Sequence, residues 1–151
     1  MANDMNQSPQ DEVSAELDAM VCDLLDDFLN ALAEGDDPGI VLVVEDANAN
    51  RYQASFTEDG EDACLEGAQH FIETNAGGVQ SDHVGPLDRY AIGYAGGVEL
   101  DGEFQDAIVV SFYQRGMSCG YSAYVLYANA GQGENFMWSD PEPAGEEPAL
   151  I

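Results

Sequence analysis

Lysine is absent from this chain, and Arg51, Arg89 and Arg115 are its only bases against 30 acids, a formal net charge of -27. A folded domain with that balance repels phosphate polymers and anionic membranes at long range. No binding to DNA, RNA or a membrane is therefore expected. Attraction is expected toward a basic protein face, metal ions or the counterions of a salty cytoplasm. Cysteine is sparse as well. Cys22, Cys64 and Cys119 form no C-x-x-C pair and are odd in number, which reads as reduced thiols of a cytoplasmic protein. No stretch approaches the length of a membrane span. The opening "MANDMNQSPQ" lacks the basic and apolar regions of a secretion signal. Absent too are a G-x-G-x-x-G after a strand, a phosphate loop and a G-x-S-x-G, so no cofactor is expected.

What is present fits one domain. A chain of 151 residues with 45% apolar composition can close a single core without disulfides. Residues 1–7 read as a disordered tail. "SPQD" then offers a helix start, with Ser8 as cap, Pro9 in the first turn and Asp11 at the positive end of the dipole. Val13, Leu17, Met20, Val21, Leu24, Leu25, Phe28, Leu29 and Leu32 recur at three- and four-residue steps. Gly35 and Pro38 supply the stop. "IVLVV" at 40–44 and "RYQASF" at 51–56 predict a hairpin around "EDANAN". A second helix is predicted from the cap at Asp59–Asp62 to about Asn75, with Cys64, Leu65, Ala68, Phe71 and Ile72 as its buried stripe.

From Asp88 the period changes to two. Tyr90, Ile92 and Tyr94 share one face of a strand, and Asp101-Gly102 suits a two-residue turn. Phe104, Ile108, Val110 and Phe112 share a face of the next strand, with Ala107 and Val109 opposite. "CGYSAYVLYANA" is a third. Residues 139–151, rich in Pro and Glu, read as a disordered tail. The expected fold is α+β in the order α-β-β-α-β-β-β, a mostly antiparallel five-stranded sheet with both helices packed on one face, within a single domain at 8–138.

The run "YAIGYAGGVELDGEFQDAIVVSFYQRGMSCGY" resembles the C-terminal half of a group of small, uncharacterised bacterial α+β proteins. In these a glycine-marked strand, an Asp-Gly turn, an Asp-Ala-Ile strand and an Arg-Gly loop follow one another. The hairpin "VVEDANANRYQASF" is similar in style. The resemblance implies a fold and no activity.

Three constellations bear on chemistry. Asp46, Asn48 and Asn50 alternate as calcium ligands do, but Arg51 stands where the loop wants glycine and Thr57 where it wants a bidentate glutamate. A polar hairpin turn is the better reading, and no metal is assigned. Cys119, between Gly116 and Gly120, is the most enzyme-like context, with His83 as the available base. An acidic environment opposes thiolate formation there. Finally, Tyr90, Tyr94, Tyr113, Tyr121, Tyr124 and Tyr127 fall on the three C-terminal strands, followed by Phe136, Met137 and Trp138. Tyrosine favours strands in any case, but such rows also suit a protein interface.

The favoured expectation is a non-enzymatic acidic interaction protein, an adaptor or inhibitor. It would dock a basic protein partner, or form a homodimer through a tyrosine-rich sheet face carrying these six tyrosines and Trp138. One alternative is an enzyme or thiol-dependent factor using Cys119 with His83. Another is that the acidity is only solvation or salt adaptation.

Overall fold

Ser14 opens the first helix. Its backbone is extended and its hydroxyl accepts a hydrogen bond from the Leu17 amide, so α1 runs Ala15–Ala33. The structure, a computed structural model, describes residues 14–56 and 61–151, with the side chains of 61 and 62 excepted. The tail expected at 1–7, the caps expected at Ser8–Asp11 and Asp59–Asp62, and Val13 lie outside the described residues. Leu17, Met20, Leu24, Leu25, Phe28 and Leu32 are the buried stripe of α1. At its end Gly35 adopts a positive φ of 88°, its amide reaching the Leu32 carbonyl and that of Asp36 the Ala31 carbonyl. This pair of bonds is a Schellman stop, which a residue with a Cβ adopts only under strain.

The hairpin follows as β1 (Ile40–Asp46) and β2 (Arg51–Phe56), then α2 (Glu61–Thr74), β3 (Leu87–Leu100), β4 (Glu103–Gln114) and β5 (Gly120–Ala128). Asp101 and Gly102 both take positive φ, 52° and 83°, and close β3 onto β4 in the tight turn their types favour. Two more strands, β6 (Met137–Trp138) and β7 (Glu142–Glu147), pair successive stretches of β5. Every pairing is antiparallel, and the order across the sheet is β2-β1-β3-β4-β5 with β6 and β7 on the outer edge. The fold is thus α+β with an antiparallel sheet. Among the described residues, no helix is long and apolar enough to cross a membrane.

Three expectations are corrected by this fold: the strand number, the C-terminal tail and the placement of the helices. The sheet has seven strands, not five. Residues 139–151, expected as a disordered tail, carry β7 and then fold back. The Leu150 amide donates to the Tyr90 hydroxyl, which donates to the Pro148 carbonyl. The physical cause is the edge of β5. Its unpaired amides and carbonyls need partners, and an edge strand tolerates Pro143 and the exposed glutamates.

The helices lie on opposite faces, not one. Gly93 pairs with Val41, and a Cβ at Gly93 would come within 3.1 Å of Leu24 and Phe28 of α1. The neighbouring parity belongs to α2. Tyr52 of β2 stacks on Phe71 at 5.3 Å between centroids, and Gly67 sits over Phe56. Because side chains alternate along a strand, β1 is covered twice, and all of Ile40–Asp46 is buried. An uninterrupted apolar run is what such a strand requires.

Candidate functional site: a saturated end and an open end

The register sorts the polar and apolar side chains to opposite ends of the sheet. At one end, Glu45 pairs directly with Arg51 on β2 and with Arg89 on β3. Its two oxygens accept from the two Nε atoms, each at 2.6 Å. Arg51 continues to Asp23 on α1 at 3.3 Å, and Arg89 to Asp88 at 3.2 Å. Asp88 also accepts from Gln114, whose side-chain oxygen accepts from the Ser14 hydroxyl. The cap of α1 is therefore wired to the sheet through one polar row. Arg115 joins the same end, its Nε donating to the Leu87 carbonyl at 2.7 Å. All three bases of the chain are here.

Beside them, Asp46 is buried and fully engaged. Its carboxylate accepts from the amides of Asn48, Asn50 and Gly85 and from the Asn50 side chain, at 2.8 to 2.9 Å. These donors, Gly85 foremost, lower its pKa to about 2. Four N–H donors occupy the lone pairs a cation would need, so Asp46, Asn48 and Asn50 form an Asx-type staple between two loops. Among the described residues, no group of three His, Cys, Asp or Glu is arranged to hold a metal.

Cys119 and His83 are not brought together. His83 is exposed, in a left-handed conformation, in the loop that Gly85 ties to the end of β1. Cys119, half-buried, precedes β5. Three strand steps separate β1 from β5, roughly 14 Å. Among the described residues no hydrogen bond joins the two side chains.

The tyrosines divide between the faces. Tyr90 and Tyr113 form a cross-strand pair, 5.9 Å between centroids, and both are buried under the C-terminal residues. Tyr94, opposite Val109 and through it Tyr124, continues that α2-side face and is half-buried with Tyr124. Tyr121 and Tyr127 have the α1-side parity, Tyr121 buried and Tyr127 half-buried. A single tyrosine-rich face is therefore absent. Parity within each strand follows from its own alternation, but parity between strands depends on register.

The opposite end is open. The β4–β5 ladder stops at Ala107–Leu126, and β3 leaves β1 beyond Gly93. The rest of β3 and β4 projects as a two-stranded ribbon of roughly 15 Å. Phe104 on this ribbon is 78% exposed, and Met137 and Trp138, at the far end of β5, are 59% and 58% exposed. Trp138 pairs with Tyr127 and leans on buried Phe136, 5.7 Å away, which in turn meets Tyr127 at 6.0 Å. Tyr127 has its pKa raised, by burial first and then by Asp106 and Asp37. Asp106 and Asp37 therefore border the aromatic cluster, and Phe104 shares the strand face of Asp106. Glu99, Asp101 and Glu103 line the ribbon. The run Phe136, Met137 and Trp138 was legible as an apolar knot, of which Phe136 is buried and the other two are exposed. Phe104 does share the strand face of Ile108, Val110 and Phe112, and only the end of the β4–β5 ladder leaves it in water.

Comparison with protein-family models, curated proteins and solved structures gave no match to this chain.

Proposed function

We propose that this protein is a non-enzymatic, cytoplasmic docking module whose open end binds a basic protein surface. One observation carries the reading. The large apolar side chains exposed among the described residues, Phe104, Met137 and Trp138, gather at the end farthest from the arginines. They sit among carboxylates in a chain of net charge -27. Such a surface steers a cationic partner from a distance and holds it by aromatic burial. The half-buried strip of Tyr94, Val109 and Tyr124 extends it on the other face.

Capture from the native extract with the wild type and a Phe104→Ser/Trp138→Ser variant tests this. The wild type should retain a basic protein that the variant does not. An unchanged set of retained proteins would sink the reading. A second copy of the chain is the competing occupant, and salt separates the two. Screening weakens attraction between opposite charges but relieves repulsion between two acidic copies. A complex that loosens as salt rises supports the basic partner. A homodimer that tightens with salt supports self-association instead.

A further inference from the structure

A groove on the α1 side, distant from the open end, is left unexplained by this reading. It runs between the first half of α1 and the β5–β7 edge. Its wider part has a volume of about 510 Å³, in the range of small-ligand sites, and Val21 and Leu25 line it with Phe112 and Ala123. A narrower continuation of about 140 Å³ shares Phe112 and Ala123 and passes along β7. The shared residues make the two parts one apolar trough.

The charged groups at its margins carry one sign. Asp18 lines the wide part, Glu142 and Glu146 line the narrow part, and no base lines either. The Cys22 thiol, at the wall, reports the same field. Burial raises its pKa first, followed by Asp18, Asp26 and Asp23. A carboxylate or phosphate ligand would meet repulsion here with no compensating donor charge. A neutral apolar ligand would leave the acids unused.

We propose that this groove binds an organic cation with an apolar body, an alkyl- or arylammonium. The body lies on Phe112 and Ala123, and the ammonium lies at Asp18. This site is separate from the open end, so neither inference depends on the other.

Titration calorimetry of the whole chain tests it, with 4-phenylbutylammonium as the probe and 4-phenylbutanol and 4-phenylbutyrate as its neutral and anionic counterparts. The ammonium should bind saturably at one site, about fivefold tighter than the alcohol, and the carboxylate should not bind. Ala123→Phe fills the floor and should weaken ammonium binding by at least about tenfold. Asp18→Asn, on the exposed side of α1, should weaken the ammonium about two- to fivefold and leave the alcohol unchanged. The aspartate variant keeps the test valid if Ala123→Phe does not fold. Non-saturable uptake that salt abolishes would mean a general counterion effect and overturn the proposal. Equal affinity for alcohol and ammonium would also overturn it, as would an Asp18→Asn variant that binds as the wild type does.

Discussion

The two ends of this sheet handle polarity in opposite ways. At the arginine end, two guanidinium groups flank one buried glutamate, and a buried aspartate satisfies four donors. Among the described residues, no buried side-chain nitrogen or oxygen lacks a hydrogen-bond partner. At the ribbon end, the exposed apolar side chains stay largely in water, and the carboxylates around them form no ion pair among the described residues. A saturated cluster has nothing left to offer a ligand, however conspicuous its residues. The charged side chains of the arginine end are thus engaged within the fold, and the exposed apolar surface lies where the core was left unfinished.

The sharpest way to break this comparison is to open the saturated end. Glu45→Ala removes the carboxylate on the Nε atom of Arg89, whose side chain is only 4% exposed, and leaves this buried charge with the partly exposed Asp88 alone. A loss of about 3–5 kcal/mol is expected in urea unfolding. Replacing the ions together, as Glu45→Leu with Arg89→Met, should recover much of it, because the apolar pair needs no solvation. If Glu45→Ala unfolds at the wild-type midpoint, the network is ornamental and the contrast between the ends disappears.

Acid and alkali probe the same end more gently. The Asp46 pKa falls from 3.8 to about 2 on folding, so between those values the unfolded chain takes up the proton first. Its stabilising contribution is complete above about pH 4 and is lost as pH falls toward 2. The stability gap between the wild type and Asp46→Asn should therefore narrow over that window. Subtracting the variant removes the opposing gain from relieved acid repulsion, which both chains share. Tyr90 acts in the other direction. Burial raises its pKa from 10.0 to about 12, with Tyr113, Glu147 and Glu73 adding and the Leu150 amide opposing. Stability that is whole below pH 10 should drain as pH climbs toward 12. Tyr90→Phe should flatten that alkaline limb. A gap that is constant from pH 4 to 2, or an alkaline limb that is unchanged in Tyr90→Phe, would show that these contacts do not form.

Local signals explain what was readable in advance. The stripe of α1, its Gly35 stop, the first hairpin and the Asp101-Gly102 turn each depend on residues within a few positions, and each formed as expected. The misses are non-local. β7 has no alternation and no β-branched residue. It becomes a strand because the β5 edge is vacant, which no window around Glu142 reveals. Arg89 joins Glu45 and Arg51 only through the β1–β3 register, which no local signal carries. Burial of β1 on both faces was written in "IVLVV". The expectation of a one-sided sheet passed over it.

The smallest expected effect is at the ribbon end, and it sharpens the comparison most. Phe104→Ser with Trp138→Ser removes side chains that folding leaves mostly in water, so the loss of stability should be no more than about 1 kcal/mol, chiefly from the contact of Trp138 with Phe136. The sole tryptophan of the chain supplies the second readout. Because Trp138 is already 58% exposed, acrylamide should quench it readily in the folded protein, and its emission should move little on unfolding. Glu45→Ala should then melt by circular dichroism with a muted tryptophan signal, the arginine end failing while the reporter stays in water. A blue-shifted, quencher-protected Trp138 in the free chain would mean that the ribbon end is already covered, and the docking surface would have to be sought elsewhere.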